Sequence, residues 1–87
     1  MKYHVIWMEG TDEDLANLWL NSENRAEISR DSRIADVSLS QNPEELGESR
    51  EEGMRVAFFG VLGIRFRVYP DDALVQVLGV WKSGRRN

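Results

Sequence analysis

Between Met54 and Lys82 the chain is a succession of short apolar runs rich in Val, Ile, Phe and Tyr, interrupted at Gly60–Gly63 and at Pro70, Asp71 and Asp72. Both interruptions carry turn chemistry: glycine accepts positive φ, proline presets φ, and aspartate side chains can close a turn. The pattern predicts a three-strand antiparallel meander over about 54–59, 64–69 and 73–82. Period-two alternation puts Val56 and Phe58, then Ile64, Phe66 and Val68, then Val75, Val77 and Trp81 on one buried face. Arg55, Arg65, Arg67, Tyr69, Gln76 and Lys82 fall on the other, with Leu74, Leu78 and Val80 beside them. That is more apolar surface than a lone chain usually leaves open, so Leu74, Leu78 and Val80 are candidates for binding a partner or a second copy.

Upstream, residues 2–8 alternate in the same way, with Tyr3, Val5 and Trp7 facing one side, and form a first strand. His4, the chain's one histidine, is read as an edge-strand surface residue, because no cysteine or second histidine completes a metal site. A helix over about 11–21 is announced by Thr11 as N-cap and by Asp12, Glu13 and Asp14 at the positive end of the dipole. Leu15, Leu18 and Trp19 supply its apolar stripe. After the breaker-rich residues 21–24, a second helix over about 24–40 presents Ile28, Ala35 and Leu39 on one face, with Ala26 and Ser32 as small contacts. Its other face carries Arg25, Glu27, Arg30, Asp31, Arg33 and Asp36 as solvated charge. Asn42 and Pro43 end it. Residues 43–53 then read as a charged connector with Arg50 among five glutamates, either a local charge balance or a phosphate contact.

The expected core is Trp7, Leu15, Trp19, Ile28, Leu39, Phe58, Phe66, Val68, Val75, Val77 and Trp81. At 87 residues the chain has room for one domain, spanning 1–87. Its 41% hydrophobic and 30% charged residues exclude the disordered class. With no cysteine there is no disulfide framework, and no apolar stretch reaches bilayer length, so the reading is a cytoplasmic protein away from membranes. The net charge of −4 conceals an asymmetry. Residues 1–53 carry five Lys/Arg against thirteen Asp/Glu, whereas residues 54–87 carry six against two. A basic sheet behind acidic helices therefore keeps an anionic partner in view.

The order β-α-α-β-β-β in so short a chain resembles the RelE/ParE superfamily of type II toxins. The resemblance rests on Tyr3, Val5, Trp7, Leu15, Trp19, Ile28 and Leu39, and on the connector from Asn42 through Gly47, Glu48, Ser49 and Arg50 to Gly53. It continues through Arg55, Val56, Gly60–Ile64, Phe66, Val68, Val75–Leu78 and Trp81. It implies an α+β, RelE-like fold with a two-helix hairpin on an antiparallel-rich sheet. It also implies a growth inhibitor, associated with plasmid stabilisation, that a cognate antitoxin wraps and blocks. Members act on DNA gyrase or cleave mRNA on the ribosome, so the enzyme class, if any, is a metal-independent endoribonuclease. Cleavage of that kind needs an acid, a base and stabilisation of the phosphate charge. Arg65, Arg67 and Arg55 are the catalytic candidates, and Arg50, Tyr69, Gln76, Lys82 and Arg85 are candidates for binding target or phosphate. RelE-like nucleases usually place a tyrosine or histidine near the C-terminus, and residues 82–87 hold neither. Both modes stay open, as does a binding module that keeps the fold without toxicity. No phosphate loop, dinucleotide fingerprint or metal-ligand spacing is present, so no cofactor is expected.

Overall fold

The computed structural model describes residues 2–83. They form strand β1 (His4–Trp7), helices α1 (Thr11–Leu20) and α2 (Arg25–Gln41), then strands β2 (Glu48–Glu51), β3 (Met54–Phe59), β4 (Leu62–Tyr69) and β5 (Leu74–Lys82). One mixed sheet runs β1-β5-β4-β3-β2, and only the β1–β5 pair is parallel. The two helices cover one side of it, so the fold is α+β as expected. Ile28, Ala35 and Leu39 from α2 meet Leu62, Ile64, Phe66, Val75 and Val77 from the sheet. Removing this apolar surface from water is the main stabilising term.

The fifth strand is a departure from the expected connector. Residues 43–53 hold a 3-10 turn at Pro43–Glu45 and then β2, which pairs antiparallel with β3. Every residue of β2 is exposed. With neither face buried, its sequence shows no alternation, and its charges and bulge suit a protected sheet edge. Tyr3 ties the preceding turn to the N-terminal strand by donating its hydroxyl to Glu44 Oε1 at 3.1 Å.

At the start of α1 the N-cap is Gly10, with no side-chain cap bond, and Thr11 is a buried first-turn residue rather than the cap. For α2 the cap is Asn24, whose Oδ1 accepts from the Glu27 amide at 3.1 Å. Ala26 is exposed, so it is not a contact residue. Asp31, assigned from sequence to the solvated face, is 2% exposed. Its Oδ2 accepts from the Val61 amide at 3.0 Å and its Oδ1 from Arg30 Nε at 3.1 Å.

Two register details reorganise the sheet faces. The turn between β3 and β4 is only Gly60–Val61, so Phe59 pairs with Leu62 and Ala57 with Ile64. Ala57 and Phe59 therefore point into the core, whereas Val56 is half-buried and Phe58 exposed on the opposite side. Both phases of this strand are apolar, and the shorter turn selects between them. In β5 a bulge falls at Leu78: Phe66 pairs with Val77, but Arg65 pairs with Gly79. One extra residue reverses the alternation beyond it. Val80 is consequently buried and Trp81 exposed, the reverse of the simple period-two reading. Trp19 is also exposed, and Trp7 and Leu15 pack only partly buried at the rim.

Candidate functional site

The helix-free face of the sheet follows from the strand registers as four cross-strand rows. The first is Phe58, Gly63 and Trp81; the second Glu48, Val56, Arg65 and Gly79. The third is Glu51, Met54, Arg67, Gln76 and Ile6; the fourth Tyr69, Leu74 and His4. Residues paired in this way share a face because the pleat is common to neighbouring strands.

Arg65 and Arg67 lie at the centre of this face, their Cα atoms about 6.6 Å apart along β4. Arg65 is exposed and Arg67 half-buried. The Arg65 guanidinium lies across Gly79, where a Cβ would meet Nη2 at 3.5 Å. Among the described residues neither arginine makes a hydrogen bond or an ion pair. Two adjacent guanidinium forks with no internal acceptor leave ten N–H donors directed at whatever covers the sheet. They are flanked by aromatic surface: Phe58 and Trp81 are in edge contact, with ring centroids 6.2 Å apart and planes at 88°. On the other flank Tyr69 donates its hydroxyl to Gln76 Oε1 at 3.0 Å.

The structure separates the remaining candidates. Arg55 pairs with Phe66, so it faces the helix side, not its expected neighbours Arg65 and Arg67. There its Nε donates to Leu46 O at 2.7 Å and its Nη2 to Gly47 O at 3.3 Å. Arg55 thus fastens the connector, beside a cleft of about 390 Å³ that it shares with Glu44, Ser49 and Val68. Arg50 is ion-paired to Glu48 at 3.3 Å on the exposed edge. Lys82 pairs with Leu62 beyond the bulge and leaves the open face. Leu74 stays on that face, half-buried; Leu78 is the bulge residue; Val80 is buried and cannot meet a partner. Arg85 lies outside the described residues. His4 joins the open face although the sequence reading assigned it no role there, because the parallel β1–β5 register aligns it with Leu74. A pairing between residues some seventy positions apart leaves no local signal.

Among the described residues no group of three or more His, Asp or Glu side chains is arranged to hold a metal ion. Among the same residues no helix is long and apolar enough to cross a membrane.

No protein-family model matches the chain, and no curated protein does. Solved structures do. A chain of the toxin–antitoxin complex RelBE2 from Mycobacterium tuberculosis superposes with a TM-score of 0.75 at 22% identity, covering 94% of this chain and 92% of that one. A chain of the archaeal RelE–RelB complex from Pyrococcus horikoshii gives 0.68 at 19% identity, covering 99% and 100%. A chain of the chromosomal ParDE system of P. aeruginosa gives 0.70 at 16% identity, covering 93% and 96%. The fold is RelE/ParE-like over nearly its whole length.

Proposed function

We propose that this chain is the toxin of a type II toxin–antitoxin pair, a cytoplasmic growth inhibitor held in check by a cognate antitoxin, and that it works through the open sheet face by binding a protein. The observation that carries the reading is the pair Arg65 and Arg67, without internal acceptors, among exposed aromatic side chains on a RelE/ParE-like sheet. Arginine with Trp, Tyr and Phe is the composition that dominates protein-binding hot spots. Nucleic-acid surfaces rely instead on an excess of basic charge, and here Glu48 and Glu51 share the face with Arg65 and Arg67 while the chain carries −4 overall.

RNA cleavage would also require an acid and a base near the arginines. Tyr69 is engaged with Gln76, and His4 stands two strands away from Arg67. Binding therefore accounts for more of the face than cleavage does. The test is induced expression with and without the adjacent gene product, followed by primer extension on cellular mRNA and a supercoiling assay. The reading expects growth arrest that the neighbour relieves, with intact mRNA. Arrest with cut mRNA would replace binding by cleavage. A stable complex without arrest would leave a binding module that has kept the fold.

A further inference from the structure

On the β1 side of the open face, the rows Arg67–Gln76–Ile6 and Tyr69–Leu74–His4 make a patch two inter-strand spacings wide, about 10 Å, with Gln76 and the half-buried Leu74 in its middle and Arg67 and His4 on opposite sides. The polar functions left over on it are mostly donors. Gln76 uses its carbonyl oxygen to accept from Tyr69, which leaves its amide N–H groups directed elsewhere. The Arg67 guanidinium and the His4 imidazole have no hydrogen-bond partner among the described residues. No carboxylate from β1, β4 or β5 falls on this face; those of Glu48 and Glu51 stand two strands from Arg65 and Arg67, on the far edge strand β2, and Asp71 and Asp72, in the turn between β4 and β5, flank its end. Lys2 precedes His4 on the same edge.

We infer that His4, Arg67 and Gln76, the last held in place by Tyr69, form a carboxylate-binding subsite for an acidic side chain of an extended segment of the protein partner. Hydrogen bonds from a guanidinium to a carboxylate are charge-assisted and stronger than neutral ones, and polar donors on the same face add to the selection. Arg65 and Arg67 repeat at two strand residues, which is also the side-chain repeat of an extended peptide. A segment with acidic residues at alternate positions can therefore answer Arg65 and Arg67 in turn, with its intervening side chains facing away from the sheet. The inference rests on reading this face as a protein-binding surface.

The experiment measures fluorescence anisotropy of a labelled alternating Glu-Val octapeptide against the whole chain, with labelled octauridylate as comparator, at fixed pH and ionic strength. The variants are His4→Glu, His4→Gln and His4→Lys, with the near-UV circular dichroism of Trp7 and its neighbours as the check that the sheet is intact. Expected is peptide binding that weakens about ten-fold in His4→Glu and changes less than about three-fold in His4→Lys. His4→Gln should fall between them. Peptide binding that is undetectable, or that ignores His4→Glu, overturns the subsite. Octauridylate bound more tightly, with the same dependence on His4, would replace the acidic peptide by RNA. Growth inhibition is measured separately: a chain that binds the peptide through His4 yet leaves cells growing refutes the toxin reading and keeps the subsite.

Discussion

The carboxylate of Asp31, in the middle of α2, accepts from the backbone N–H of Val61 at 3.0 Å and so fastens the helix layer to the turn between β3 and β4. Gly60 makes this approach possible: its φ is +61°, and a Cβ there would run into the Asp31 carboxylate. Asp31→Ala leaves a part-buried N–H without an acceptor and should cost about 1–3 kcal/mol. Asp31→Asn, which keeps a side-chain carbonyl, should cost less. Gly60→Ala should destabilise as well, through the strained φ and the blocked carboxylate. Urea unfolding checks all three, with a shifted midpoint and an unchanged slope as the expected outcome.

On the open face, Gly63 supports Trp81 in the way Gly60 accommodates Asp31. The indole lies so close over Gly63 that a Cβ would overlap its ring. Gly63→Ala should therefore displace Trp81 and break its edge contact with Phe58, at a modest stability cost of about 1 kcal/mol because the indole is 38% exposed. The near-UV dichroism assigned to Trp81, taken as the difference from Trp81→Phe, should diminish in Gly63→Ala. An unchanged signal would show that the ring has another seat.

These two glycines also mark where the sequence stops being informative. The order of strands and helices was legible because Ile28, Ala35 and Leu39 recur at helical spacing, and because Ile64, Phe66 and Val68 alternate against arginines. The arginine pair was legible for the same reason. Phe58 and Phe59 could not be told apart, since consecutive phenylalanines satisfy either phase and only the length of the turn decides. The Leu78 bulge, which buries Val80 and releases Trp81, is set by packing across β4 and has no residue signature of its own. β2 was missed because a strand exposed on both faces has no apolar period, and His4 because its neighbours come from the other end of the chain.

Moving Arg55 to the helix side creates a contrast with Arg65 and Arg67. Arg55 holds the backbone carbonyls of Leu46 and Gly47, so Arg55→Ala should free the connector and cost about 1–3 kcal/mol. Arg65→Ala with Arg67→Ala removes no internal bond and should leave stability within about 0.5 kcal/mol for each substitution. Under the proposed toxin function, growth inhibition should follow the opposite order once expression is matched, lost in the Arg65/Arg67 double variant and retained in Arg55→Ala at a temperature where it is folded. A double variant as inhibitory as its parent would remove the open face from the mechanism.

Tyr3 makes a pH-dependent contribution to stability on the alkaline side. Burial raises its phenol pKa above the usual value of 10.0, and the hydrogen bond and negative charge of Glu44 add to the shift. The folded state therefore holds the phenolic proton more tightly than the unfolded chain does. Unfolding then releases a proton at pH values between the two pKa values, so stability falls as pH rises there. The stabilisation from Tyr3 is complete below about pH 10, the unfolded value, and is lost as pH climbs through the raised folded value. Thermal midpoints for the parent and Tyr3→Phe, taken from pH 7 upward, isolate this residue from other alkaline titrations. The parent should be the more stable protein at pH 7, where the bond to Glu44 is intact. That advantage should shrink above about pH 10, because phenylalanine carries no proton to lose. A difference between the two that stays constant up to the highest pH at which both fold would show that the Tyr3–Glu44 contact does not govern alkaline stability.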